Sequence, residues 1–195
     1  MTRAAQGTAT SRPPVRDRIL AAADELFYAE GIRAVSADRI IAAAEVSKVT
    51  FYRHFPTKDD LVLAYLEGRS AVEREALERL RSPDPRATLK AIAHLLADAS
   101  CAADFRGCPF INAAAEYADA SHPVRQAVAA HRAWFAGVLA GLLTELDIAD
   151  PAEAVDQLMM LRDGAMVGAY LGAGPGARAE SLVAAGRAVV AAARG

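Results

Sequence analysis

The chain has 195 residues, 53% of them apolar, and its 22 basic and 24 acidic side chains give a formal net charge of −2. That length holds one domain or a small domain fused to a larger one, and so apolar a chain is not generally disordered. The balanced charge excludes a polybasic nucleic-acid coat, so any binding to DNA has to come from local patches.

Nine prolines punctuate the chain, and the intervals between them are rich in Ala, Leu, Arg and Glu. Proline starts or separates helices, and these residues propagate them, so the fold class expected is all-α. Residues 1–14 have scattered arginines and no apolar h-region; they read as a flexible arm rather than a signal peptide. Ile19, Leu20, Ala23, Leu26 and Phe27 recur at helical spacing over 15–30, with Gly31 as the stop. Ser36 caps a short helix to Ala44, and Ser47 caps another to about His54. Thr57 and Asp60 resemble a capping box opening a helix to about Arg81, which Ser82-Pro83-Asp84-Pro85 ends. Further helices are expected over 86–101, 109–119, 122–146, 151–172 and 177–193. Asp150 is the expected N-cap before a first-turn Pro151, and Gly172 and Gly174-Pro175-Gly176 break the chain before the last helix. The longest uncharged stretches, 133–144 and 164–177, fall short of the roughly 18 apolar residues of a membrane helix. With only Cys101 and Cys108 as cysteines, a reduced, cytoplasmic setting without a membrane is expected.

The two short helices over 36–44 and 47–54 are separated by a couple of residues, the layout of a helix-turn-helix. Ile40, Ile41, Val46, Phe51 and Phe55 supply its core, completed by Leu26 and Phe27. Residues 1–18 carry a balance of +3, as do residues 39–58. Two basic patches therefore sit within an acidic chain, as phosphate binding requires.

The segment from Arg16 to Gly68, above all Val46-Ser47-Lys48-Val49-Thr50-Phe51-Tyr52-Arg53-His54-Phe55-Pro56-Thr57-Lys58, resembles the DNA-binding domain of the TetR family of transcriptional regulators. The resemblance implies a helix-turn-helix domain over 15–56 and a helical ligand-binding and dimerisation domain over 57–195. It implies that Ser36 binds phosphate. Lys48 and Thr50, with Ser47 and Val49 beside them, would meet base edges. Tyr52, His54 and Lys58 would grip phosphates, and Arg53 would reach either. Two residues depart from the family pattern: Glu45 stands at a turn position that is commonly Gly, and Val49 where a small residue is common. Glu does not adopt positive φ as cheaply as Gly, so the turn is expected to differ.

For the body, the resemblance implies a small-molecule effector that shifts the DNA-binding heads, with double-stranded operator DNA as the other partner. Phe110, Tyr117, Trp134, Phe135, Met159, Met160 and Met166 offer adaptable apolar contacts for such a ligand. Asn112 and Glu116, four apart beside Cys108, would fix its orientation if that helix face points inward. Gly164, Gly168 and Gly172 recur every four residues, which suits close helix approach. By resemblance, a homodimer would form through the last two helices, the final one offering Val183, Gly186, Val189 and Val190.

Other classes fit less well. No G-x-S-x-G, paired-carboxylate motif or cofactor-binding glycine loop is present, so neither an enzyme nor a cofactor is expected. His122 and His131 lack partners at zinc spacing, so no metal is expected. The alternative is a helical ligand-binding or interaction protein with impaired DNA binding, and Glu45 is the residue that would impair it.

Overall fold

The computed structural model describes residues 12–172 and 176–194. Most of the expected arm, and the break at Gly174-Pro175, lie outside the described residues. Nine helices and no strand are present among the described residues: α1 (Val15–Glu30), α2 (Ala37–Ala43), α3 (Lys48–His54), α4 (Lys58–Leu80), α5 (Pro85–Ala99), α6 (Pro109–Glu116), α7 (Pro123–Thr144), α8 (Ala152–Tyr170) and α9 (Gly176–Ala192).

The helix starts follow local chemistry. Ser36 and Ser47 each accept a backbone N–H three residues on, from Arg39 and Thr50. Thr57 and Asp60 complete a reciprocal capping box, with Asp serving where Glu is usual. Asp84 caps α5 and Pro85 occupies its first turn, while His122 Nδ1 accepts from Val124 ahead of α7. Three boundaries differ from expectation. At α8 the cap position falls on Pro151 itself, and Asp150 accepts from Ala152 at 3.3 Å. α6 stops at Glu116 because Tyr117 turns extended (φ −115°, ψ 97°). Gly172 lies beyond α8 at φ +89° and is part of its ending rather than of a three-glycine helical face.

One apolar cluster spans α1–α3, the first half of α4, α6 and the start of α7. It buries Ile19, Phe27, Ile40, Phe51, Phe55, Leu61, Tyr65 and Phe110. Ile41, Val46 and Leu26, expected in the head core, pack against it only half-buried. A second cluster, with Leu77, Ile92, Phe135, Leu139, Leu142 and Val155, joins the far end of α4 to α5, α7 and α8. Each fully buried side chain of this size contributes about 1.5–3 kcal/mol. α7 is, by length and composition, the one described helix able to span a bilayer. It is instead packed by α4, α5, α6 and α8.

Between the clusters lies a polar seam. His131 and Arg162 are almost fully buried. The His131 ring stacks flat on Phe110, with centroids 3.5 Å apart, and its Nδ1 meets Ser70 Oγ at 3.0 Å. Arg162 donates to Asp163 at 3.0 Å and lies 3.8 Å from Glu73. Burial alone would lower the Arg162 pKa; its neighbours Cys108, Glu73 and Asp163 raise it on balance, so it stays a cation. Ser70 and Glu73 both stand on α4, the helix that begins at the end of the head.

Candidate nucleic-acid interface and body cavity

In the head, α3 buries only Phe51 and leaves most of its side chains exposed. Phe51 points inward and is fully buried, which fixes the rotation of the helix. Lys48, Val49, Tyr52 and Arg53 then share the outward side, spaced by three and four residues. Val49 is 79% exposed and Tyr52 40%, a poor arrangement for a helix meant to face only water. An α-helix with its side chains is about 10–12 Å across, which matches the roughly 12 Å width of a major groove. Ser47 and Thr50 are tied to one another, Oγ to Oγ1 at 2.8 Å, so part of their capacity goes to capping. Ser36 is exposed at the start of α2, while His54 and Lys58 are half-buried. Lys58 sits 5.9 Å over the Phe27 ring; burial lowers its pKa, against the nearby carboxylates of Glu116 and Asp59.

The basic patches are weaker in the folded chain than a count along the sequence suggests. Lys48 Nζ lies 3.3 Å from Asp38, and Arg39 forms a two-pronged pair with Glu30 at 2.6 and 2.7 Å. Both carboxylates fall outside the +3 window, Asp38 by one residue and Glu30 by nine. Arg12 pairs with Glu45 at 2.5 Å. Arg53 enters no ion pair among the described residues, and Arg16 packs its guanidinium on the Phe55 ring.

Glu45 occupies the turn between α2 and α3 at φ +52°. Glu45 thus takes the left-handed conformation that Gly adopts more cheaply, and the cost falls on it as strain of about 1–2 kcal/mol. The pair with Arg12 is exposed at both ends and offsets little of it.

The head is fastened to the body at three points. Glu116 accepts from the backbone N–H groups of Ile32 at 2.8 Å and Arg33 at 2.6 Å. Tyr28 donates to the Gly107 carbonyl and accepts from Arg106 N, both at 3.0 Å. Arg69 of α4 grips Asp24 of α1 at 2.6 and 2.8 Å. Gly31 adopts φ +94°, which favours glycine, and a Cβ there would stand 3.2 Å from Glu116 Oε1 and push that side chain by a few tenths of an ångström.

The body holds a cavity of about 520 Å³ among α5, α7, α8 and α9. Of the residues expected to contact a ligand, Phe135 lines it, but Phe110, Asn112, Glu116, Tyr117, Trp134, Met159, Met160 and Met166 do not. Their places have physical reasons. Phe110 is the platform for His131, and Asn112 Nδ2 donates to the Arg106 carbonyl at 2.8 Å. Glu116 faces the head. Tyr117 donates to Asp59 on α4 at 2.9 Å, and burial with this bond raises its pKa above the ordinary phenol value. Trp134 lies under the Arg74 guanidinium at 4.2 Å, Met159 and Met166 fill the two cores, and Met160 is 64% exposed. Apart from Phe135 the apolar lining is aliphatic, with Leu89, Leu96, Leu139, Leu158 and Val190, and its sequence signal is the mixture of aliphatic and basic residues along α5 and α9. Cys108 is buried and Cys101 exposed, both as free thiols.

Comparison with known proteins agrees with these features. The profile of the bacterial regulatory proteins, tetR family, matches residues 19–65. That of the tetracyclin repressor-like C-terminal domain matches residues 85–180. SCO4454, a TetR-family transcriptional regulator from Streptomyces coelicolor, is similar in structure with a TM-score of 0.88 and 40% identity, over 93% of this chain and 96% of that one. A TetR transcriptional regulator from Streptomyces avermitilis (sav143) is 27% identical with a TM-score of 0.79, over 91% of this chain and 98% of the other. Reduced NemR of E. coli, 21% identical over 90% of this chain and 97% of its own, shares the fold with a TM-score of 0.80. No curated protein sequence matches the chain.

Proposed function

Because the chain belongs to the TetR family of transcriptional regulators, we propose that it is a homodimeric cytoplasmic repressor. In this reading it leaves a palindromic operator when a small molecule fills the body cavity. The observation that carries DNA reading is the outward side of α3, where Lys48, Val49 and Arg53 stand free of the head core. Lys48 and Thr50 meet base edges, with Ser47 beside them and Val49 placed to touch a thymine methyl; Ser36, Tyr52, His54 and Lys58 hold phosphates, and Arg53 reaches either. Two such heads in a two-fold dimer require half-sites an integral number of helical turns apart.

The dimer surface is the outer side of α8 and α9; of the α9 residues expected on it, Val183, Gly186 and Val190 instead line the body cavity, and a Cβ on Gly186 would stand 3.7 Å from Leu158. Met160, Gly164, Val167 and Leu171 form an exposed apolar row, and among the described residues nothing beyond its chain neighbours and own helix backbone lies within 4 Å of a Cβ added at Gly164. Release follows from differential affinity: the effector binds better when the heads are wrongly spaced for the operator. α4 carries the shift, since it holds Ser70 and Glu73 against the seam and Asp24 of the head through Arg69.

The test is selection of sheared genomic DNA by the purified protein at two salt concentrations, followed by sequencing. Enrichment of one palindromic site supports the reading. Weak, salt-sensitive binding without enrichment overturns it in favour of a helical interaction protein with an impaired head.

A further inference from the structure

The wall of the body cavity is mainly aliphatic, and its charged groups are mainly basic. Arg86 and Lys90 of α5, Arg162 of α8, and Arg187 and Arg194 at the α9 end border it, against the single carboxylate of Asp84. Asp84 is already committed, since its Oδ1 accepts from the Arg86 backbone at the start of α5. Arg162 is balanced by Asp163 and Glu73, and Arg194 donates to the Leu146 carbonyl at 2.7 Å. Arg86, Lys90 and Arg187 are exposed and enter no ion pair among the described residues. The cavity thus has an apolar inner part and a basic, exposed rim. A cationic occupant would meet uncompensated repulsion there, and a carboxylate at the rim keeps part of its hydration while gaining two or three opposite charges.

We propose that the cavity takes a small amphipathic anion, an acyl or aryl carboxylate. Its apolar body lies against Leu96, Leu139, Leu158 and Val190, and its carboxylate lies at the rim formed by Lys90 and Arg187. The volume of about 520 Å³ falls in the range of pockets that enclose small organic ligands. This rests on the reading of the cavity as the effector site, and it adds the chemical class.

Decanoate, decanol and decylammonium, each below its aggregation limit, are titrated calorimetrically into the full-length protein. The same titrations are made with the Lys90→Ala/Arg187→Ala double variant and with the cavity-filling Ala93→Trp. Decanoate is expected to bind at least tenfold more tightly than decanol and to weaken between 50 and 500 mM salt, with decylammonium the weakest. In the double variant, whose changes are on the surface, the preference for decanoate falls to less than threefold; a folded Ala93→Trp binds none of the three. Equal binding of decanoate and decanol, abolished by Ala93→Trp, overturns the anionic class and leaves the effector site standing. Binding of none of the three by the wild-type protein overturns the proposal. A decanoate preference that leaves DNA binding unchanged supports the anion site and removes its role as effector site.

Discussion

Glu116 Oε1 accepts the backbone N–H of Ile32 at 2.8 Å, so a carboxylate from α6 completes the hydrogen bonding of the loop between α1 and α2. Its second oxygen takes Arg33 N, and the two bonds hold the head in one orientation on the body. Glu116→Ala leaves both donors without this partner. A loss of about 1–2 kcal/mol of stability is expected, at the lower end of the range because Arg33 is exposed. Urea unfolding measures it. Glu116→Gln, which retains one acceptor, loses less, and equal stability of all three proteins would remove the clasp from the account.

In the proposed reading, Asp38 competes with DNA for Lys48, which it meets at 3.3 Å. Asp38→Asn frees the ammonium and removes a negative charge from the binding side, so operator affinity is expected to rise two- to fivefold at low salt. Lys48→Ala is expected to cost about 1–3 kcal/mol on the operator and less on random DNA. Fluorescence anisotropy on both sequences separates the two. A uniform loss for Lys48→Ala would make it a phosphate contact only.

Glu45→Gly relaxes the residue at φ +52°. The relief is partly offset by the greater freedom of glycine in the unfolded chain, leaving a net gain of about 0.5–1 kcal/mol. DNA affinity rises in the same variant, because Arg12 loses its partner and a carboxylate leaves the head. A lower denaturation midpoint would contradict the strain argument.

The apolar row on α8 predicts a monomer when charged. Met160→Glu/Val167→Glu is expected to halve the mass measured by light scattering while its circular dichroism stays helical, since both side chains are exposed in the single chain. Binding to a palindromic site then falls by more than a hundredfold as the second head is lost. A dimer that survives this change has its interface elsewhere.

Acid weakens the body through Asp163. Burial by itself would raise its pKa, but the Arg132 fork at 2.7 and 3.0 Å and the Arg162 guanidinium outweigh it, so the carboxyl titrates below its ordinary value. The unfolded chain binds this proton first. The contribution is therefore complete above pH values near 4 and is lost as pH falls through the lower folded value. Thermal unfolding between pH 7 and pH 3 is expected to fall less steeply in Asp163→Asn than in the wild-type protein.

What could be read from the sequence is what depends on near neighbours. Ser36, Ser47 and Thr57 announce their helices because a cap is a three-residue event, and Gly31 stops α1 because the turn needs positive φ. The outward side of α3 could be read for the same reason, since Phe51 fixes which side faces out. Glu116 could not. Its partner lies 84 residues away, and the spacing of Asn112 and Glu116 on one face says nothing of which element that face meets. The cavity was hidden likewise, because it exists only where the sides of α5, α7, α8 and α9 fail to close on one another. Aromatic and sulfur side chains, the usual lining of an adaptable pocket, were spent here on the two cores and on the support of His131.

The apolar cluster that begins at Ile19 runs past Pro56 without interruption to Phe110 and Val124. Grafting has to respect that continuity. A hybrid regulator cut at the start of α4 would carry a foreign head onto Leu61, Tyr65 and Phe110, which are shaped for Phe27 and Ile19, and its heads would take up the spacing of neither parent. An exchange that moves operator preference intact replaces only the outward residues of α3 and leaves the inward ones with their own body.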